Sequence, residues 1–125
     1  MKKIIFCKER GKEPQAMWLK GFLKFLNIAM KDNDREADVV ACETIEEAQQ
    51  RIALVESEDV VLCFTTLKVA VEAREVAIAN PKVRVIVFTA GFVSQPDDAL
   101  TPDNFEVVDK TKTMKTKSID NLFFG

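Results

Sequence analysis

The chain has 125 residues, of which 47% are apolar and 30% charged, and a formal net charge of -2. That length accommodates one globular domain and excludes a second, and the charge balance excludes a global field that would draw the protein onto nucleic acid or an anionic membrane. No apolar run approaches the ~20 residues needed to cross a bilayer, and the Met-Lys-Lys start leads into a strand-length run rather than a secretory core, so a cytoplasmic location is expected.

Ile4-Ile5-Phe6-Cys7 predicts a first strand at 3–7. The polar loop Lys8 to Glu13 follows, and Pro14 opens a long helix at a position where its missing N–H costs nothing. Ala16, Leu19, Leu23, Leu26 and Met30 mark its apolar stripe, and Trp18, Phe22 and Phe25 widen it. After the charged connection Lys31 to Glu36, a second strand is expected at 37–42. Thr44-Ile45-Glu46-Glu47 then reads as a capping box opening a helix whose Ile45, Ala48, Ile52 and Val55 face inward. Val60 to Phe64 is apolar on both faces, the mark of a central strand in a parallel sheet.

Thr65-Thr66 can cap the next helix, whose apolar set is Leu67, Ala70, Val71, Ala73, Ala77 and Ile78, and Asn80-Pro81 ends it. A fourth strand is expected at 83–88. Between Thr89 and Asn104, Gly91, Pro96 and Pro102 predict a loop with one short helix near Asp97 to Leu100, and a fifth strand covers 105–108. Strands alternating with helices give an α/β fold with a five-stranded parallel doubly wound sheet, order 2-1-3-4-5, and helices on both faces. Residues 1–110 form this domain and 111–125 a basic linker with an apolar C-terminal segment. Sites in such a sheet lie at the carboxyl ends of the strands.

Over residues 1–110 the chain resembles the receiver domains of two-component signalling, a flavodoxin-like architecture. The likeness is carried by the Thr-x-Glu-Glu-Ala helix start, by Asp59-Val60-Val61-Leu62-Cys63, by Thr89-Ala90 closing the fourth strand and by Lys110 after the fifth. The resemblance implies a pocket framed by Cys7, Lys8, Phe64, Thr65, Thr89 and Lys110. It also implies an acidic pair after the first strand for Mg²⁺ and an aspartate ending the third as phosphoacceptor, because a hard cation needs carboxylate oxygens and an acyl phosphate needs a carboxylate nucleophile. This chain departs at both places, with Phe6-Cys7-Lys8 and Phe64. Asp59 precedes the third strand and belongs to the opposite edge. The expectation is a pseudo-receiver that signals by binding, without enzyme activity or a cofactor. Thr89 and Lys110 read equally as a strand-end hydroxyl and a solvated lysine.

Three cysteines in a chain without histidine predict free thiols. Cys7, Cys42 and Cys63 each sit at or near the end of one of three neighbouring strands. They read either as small buried residues or, alternatively, as a thiol-dependent enzyme centre or a metal site lacking its fourth ligand. Cys7 also resembles the phosphocysteine of some sugar phosphotransferase subunits, but Lys8-Glu9-Arg10-Gly11-Lys12 is not a phosphate cradle of small and hydroxyl residues.

The polar run Lys110 to Lys117 leads to Ser118-Ile119-Asp120-Asn121-Leu122-Phe123-Phe124. Its order of an aliphatic residue and then a pair of large apolar ones resembles the peptides by which replication and repair proteins plug a sliding clamp. Thr116 stands where those peptides prefer glutamine. Two readings follow. Either Ile119, Leu122, Phe123 and Phe124 engage a protein partner, or Ser118 caps a final helix that packs on the sheet. The expected partner is a protein, with no nucleic acid and no membrane, and a homo-oligomer is left open.

Overall fold

The computed structural model of the protein describes residues 2–7, 13–53, 59–65, 70–89, 102–112 and 115–125. Among them, β1 (Lys2–Cys7), β2 (Ala37–Cys42), β3 (Val60–Phe64), β4 (Arg84–Thr89) and β5 (Phe105–Asp109) form one sheet in the order β2-β1-β3-β4-β5. Every adjacent pair is parallel. The helices are α1 (Glu13–Asp32), α2 (Ile45–Ala53), α3 (Ala70–Ala79) and α4 (Thr116–Phe124). This is the doubly wound α/β architecture that the alternation of strands and helices dictates. The strand bounds differ from expectation by a single residue, β1 starting at Lys2, β4 shifting to 84–89 and β5 reaching Asp109.

Strand alternation sends successive side chains to opposite faces, and both faces are covered. Ile5, Cys7, Leu62, Phe64, Val85 and Val87 pack with Ala48 and Ile52 of α2 and Ala73, Val76 and Ala77 of α3. Ile4, Phe6, Val61, Cys63, Ile86 and Phe88 pack with Leu19, Phe22, Leu26 and Ala29 of α1 and with Ile119 and Phe123 of α4. Both helix stripes are rotated from expectation. Phe25 points outward because Phe22, Leu26 and Ala29, spaced by four and three, already fill the inner line of α1. On α3, Val76 is buried with Ala73 and Ala77, whereas Val71 and Ile78 face solvent. Position 76 shares an arc with 73 and 77, and 71 and 78 lie on the far side of the wheel.

Local chemistry ends and joins the elements. The Glu47 amide donates to the Thr44 hydroxyl at 3.1 Å, and the Glu43 amide donates back to the Glu47 carboxylate at 3.2 Å, the capping pattern expected with its return bond one residue further out. At the end of α1, Asp34 adopts φ 57°, and the Arg35 and Asp34 amides donate to the carbonyls of Met30 and Lys31. The Asn104 side-chain amide donates to the carbonyls of Ala77, Asn80 and Val83, tying the end of α3 to the start of β4 and β5.

The segment 111–125 is not a linker with a free peptide. Asp109 accepts bonds from the Thr111 amide and hydroxyl, a one-turn 3-10 helix covers Lys110–Lys112, and α4 lies on the sheet beside α1. Ile119 and Phe123 are buried, and Leu122 and Phe124 are partly buried against the same cluster. Ser118 does not cap this helix. Its N-cap is Lys115, which has extended backbone and no side-chain cap bond, and Ser118 falls inside the first turn. At the other end, Gly125 caps, where a Cβ would collide with the Asn121 carbonyl. Arg84 donates to the Leu122 carbonyl and to Glu106, and Arg35 pairs with Asp120 at 3.1 Å and lies 5.5 Å from the Phe124 ring centre.

The expectations for Lys8 to Lys12, Val55, Thr66-Leu67, the turn at Gly91 and Pro96 and the helix at 97–100 lie outside the described residues.

With Phe123 in the core, Phe123→Ala is expected to cost about 3–5 kcal/mol through lost burial and a residual cavity. Urea unfolding followed by circular dichroism checks this. A cost under about 1 kcal/mol would show that α4 is dispensable to the fold.

Candidate functional site

In an open parallel sheet the strands lead outward at their carboxyl ends, and there side chains are freed for ligands. The register brings Cys7 of β1 level with Cys42 of β2 and with Phe64 of β3, and pairs Thr89 of β4 with Asp109 of β5. Phe64, buried on the face of α2 and α3, stands at the end of the central strand with Cys7 beside it. An aromatic ring and a thiol thus stand at these two strand ends. Neither supplies hard anionic oxygen.

Thr65, the next residue, is buried, and its hydroxyl has no hydrogen-bond partner among the described residues. Thr89 is buried as well. Strand alternation places Thr89 on the same face as Val85 and Val87, whereas the Lys110 ammonium lies 4.7 Å from the ring centre of Trp18, on the α1 side. Thr89 pairs in register with Asp109, and Lys110, one residue further on, leaves the edge on the opposite face from Thr89. Partial burial holds the Lys110 pKa below its ordinary value. Lys110 is a packed cation on an indole, not the solvated lysine of the plain reading. Lys8 lies outside the described residues.

The three thiols do not converge. Cys7 and Cys42 share the α2 face, and Cys63 lies under α1 on the other. All three are buried and outside any disulfide, and no group of three metal-ligating side chains occurs among the described residues. Burial, aided by Cys42 and then by the Glu47 and Glu46 carboxylates, pushes the Cys7 thiol up to about 12. Burial and Glu47 raise Cys42 against the opposing Arg51, and burial raises Cys63. These are thiols held protonated, the reverse of an activated nucleophile. Among the described residues, the three thiols do not share the one site that the metal alternative requires.

Two surfaces went unread in the sequence. One is the outer face of α1, where Met17 is 73% and Ile28 47% exposed, beside Lys20, Lys24 and Lys31. The other is an open groove of about 400 Å³ between α2 and α3, floored by Ile45, Val76 and Ala79 and rimmed by Glu46, Glu72 and Glu75. None of these three glutamates forms an ion pair among the described residues. The signal was available: apolar residues at 17, 25 and 28 exceed what one buried stripe of α1 can use.

The chain matches no protein-family model and no curated protein. Among solved structures it is similar to a putative lipoprotein fragment from Peptoclostridium difficile 630, with a TM-score of 0.66 and 13% identity over 98% of this chain and 96% of that one. At that identity the likeness concerns the fold. No helix among the described residues is long and apolar enough to cross a membrane.

Because the Cys7 thiol is protonated in the folded chain well above the pH at which an unfolded thiol ionises, its contribution to stability is intact below about pH 9 and is lost as pH rises toward 12. Denaturant midpoints should therefore fall from pH 8.5 upward, and Cys7→Ala should flatten that fall. Alkylation of the native protein at pH 8 should be slow for all three thiols and become fast in denaturant.

Proposed function

We propose that this chain is a non-catalytic, protein-binding regulatory module of receiver-like architecture. One observation carries the reading: Phe64, a buried ring, ends the central strand where phosphoryl chemistry on this architecture requires a carboxylate. Cys7 offers no substitute, since burial keeps its thiol neutral and a thiol supplies no carboxylate oxygen. The phosphate-dependent switch is absent, and recognition through surfaces remains.

The C-terminal helix is not the docking element, since Ile119 and Phe123 already fill the core. Binding falls instead to the helix faces that the fold leaves uncovered, on α1 and between α2 and α3. A cytosolic setting accords with three free thiols and no disulfide among the described residues.

Incubation of the intact protein with a small phosphodonor and Mg²⁺, read by mass spectrometry, is expected to give no phosphoryl adduct. An acid-labile adduct on the native chain would overturn the proposal. As a positive control of the logic, Phe64→Asp is expected to remain unmodified too, because the first strand supplies no acidic pair for the metal.

A further inference from the structure

The outer faces of this domain carry opposite charges around apolar centres. On α1, Met17, Lys20, Lys24, Ile28 and Lys31 follow one another at spacings of three and four, so they share one side of the helix. Phe25 lies at the edge of that strip and is 38% exposed. An added Cβ at Gly21, on the same side, would meet nothing within 4 Å. The strip is apolar and basic, and no ion pair engages its lysines among the described residues.

Across the sheet, the α2/α3 groove is apolar and acidic. Ile45 and Val76 form its floor and Glu46, Glu72 and Glu75 its rim. Beyond Glu75, Val71 and Ile78 remain 65% and 60% exposed, seven residues apart on the same side of α3. A groove between two helices fits a third helix laid along it.

We infer that α1 of one copy of this chain docks in the α2/α3 groove of another, with Lys20 and Lys24 against Glu72 and Glu75. Charge selects this pairing over the symmetric ones. Two α1 strips facing each other would set lysines against lysines, and two grooves would set glutamates against glutamates, whereas strip and groove bring opposite signs together and set Met17 and Ile28 against Ile45 and Val76. Since α1 and the groove lie on opposite faces of the sheet, the contact is head to tail: one copy keeps its groove and the other its strip for further neighbours. The inference rests on the binding-module reading and names its partner as the chain itself.

Sedimentation velocity of the full chain over a roughly hundredfold concentration range should show association that weakens at high salt. The Lys20→Glu/Lys24→Glu and Glu72→Lys/Glu75→Lys variants alter exposed residues only, and each alone should associate at least about tenfold more weakly. Mixed in equal amounts they should regain association, because each strip then finds a groove of opposite sign. A second pair, Met17→Ser/Ile28→Ser, should weaken association of the otherwise native chain. A wild type that stays monomeric throughout, single charge variants that associate as the wild type does, or a mixture that stays monomeric would each overturn the inference. A monomeric wild type that also takes up no phosphoryl group would leave the binding-module reading standing, whereas phosphoryl uptake would remove that reading itself.

Discussion

Five rings meet under α1 and hold this domain together. Phe6 of β1 packs edge-on to Phe22 at 5.7 Å, Trp18 stacks on Phe22 at 4.9 Å, Phe88 of β4 lies 5.2 Å from Phe22, and Phe123 of α4 completes the set at 6.2 Å. Such pairs add to ordinary burial because ring edges meet ring faces. The cluster joins α1 and α4 to two strands, β1 and β4, at once. Helix α4 is therefore part of the domain, since without it Phe6 and Phe22 would be uncovered on one side.

The two edges of the sheet differ in kind, and that difference governs what each can do. The amino edge is charged. Lys2 pairs with Asp59 at 2.6 Å, Arg84 holds Glu106 and the Leu122 carbonyl, and Arg35 holds Asp120. The Arg84 and Arg35 contacts anchor the C-terminal half of α4, whose carbonyl end is the negative pole of the helix. At the carboxyl edge, among the described residues, Cys7, Cys42 and Phe64 stand in register, Thr65 is buried without a hydrogen-bond partner and Thr89 pairs with Asp109. On the flanks, α1 presents lysines and the α2/α3 groove presents glutamates.

Much of the architecture was legible in residue order. Periodicity located every strand to within a residue, since runs such as Val60 to Phe64 are apolar on both faces and fit only the middle of a covered parallel sheet. The capping box at Thr44 marked the start of α2, and the absence of a carboxylate at position 64 needed no coordinates. Helix orientation was less legible. Phe25 and Val71 could each extend an apolar stripe on a wheel, and only the presence of Phe22 and Val76 in the core decides which arc is buried. The cysteines show the same boundary. Their positions at strand ends were plain, but β3 enters the register with Cys63 opposite Phe6 rather than Cys7, and one residue of offset sends its sulfur to the other face.

What residue order alone determined is therefore the class of the fold, the order of its strands and the presence of an aromatic ring rather than a carboxylate at position 64, because these follow from local periodicity and from side-chain chemistry at single positions. The tertiary structure decided where α4 goes, which thiols are neighbours and which helix faces stay open to solvent. Those depend on how surfaces distant in the chain compete for one core. Ile119 and Phe123 suit a partner's pocket and a sheet equally well, and the vacancy beside Phe6 and Phe22 settles them on the sheet.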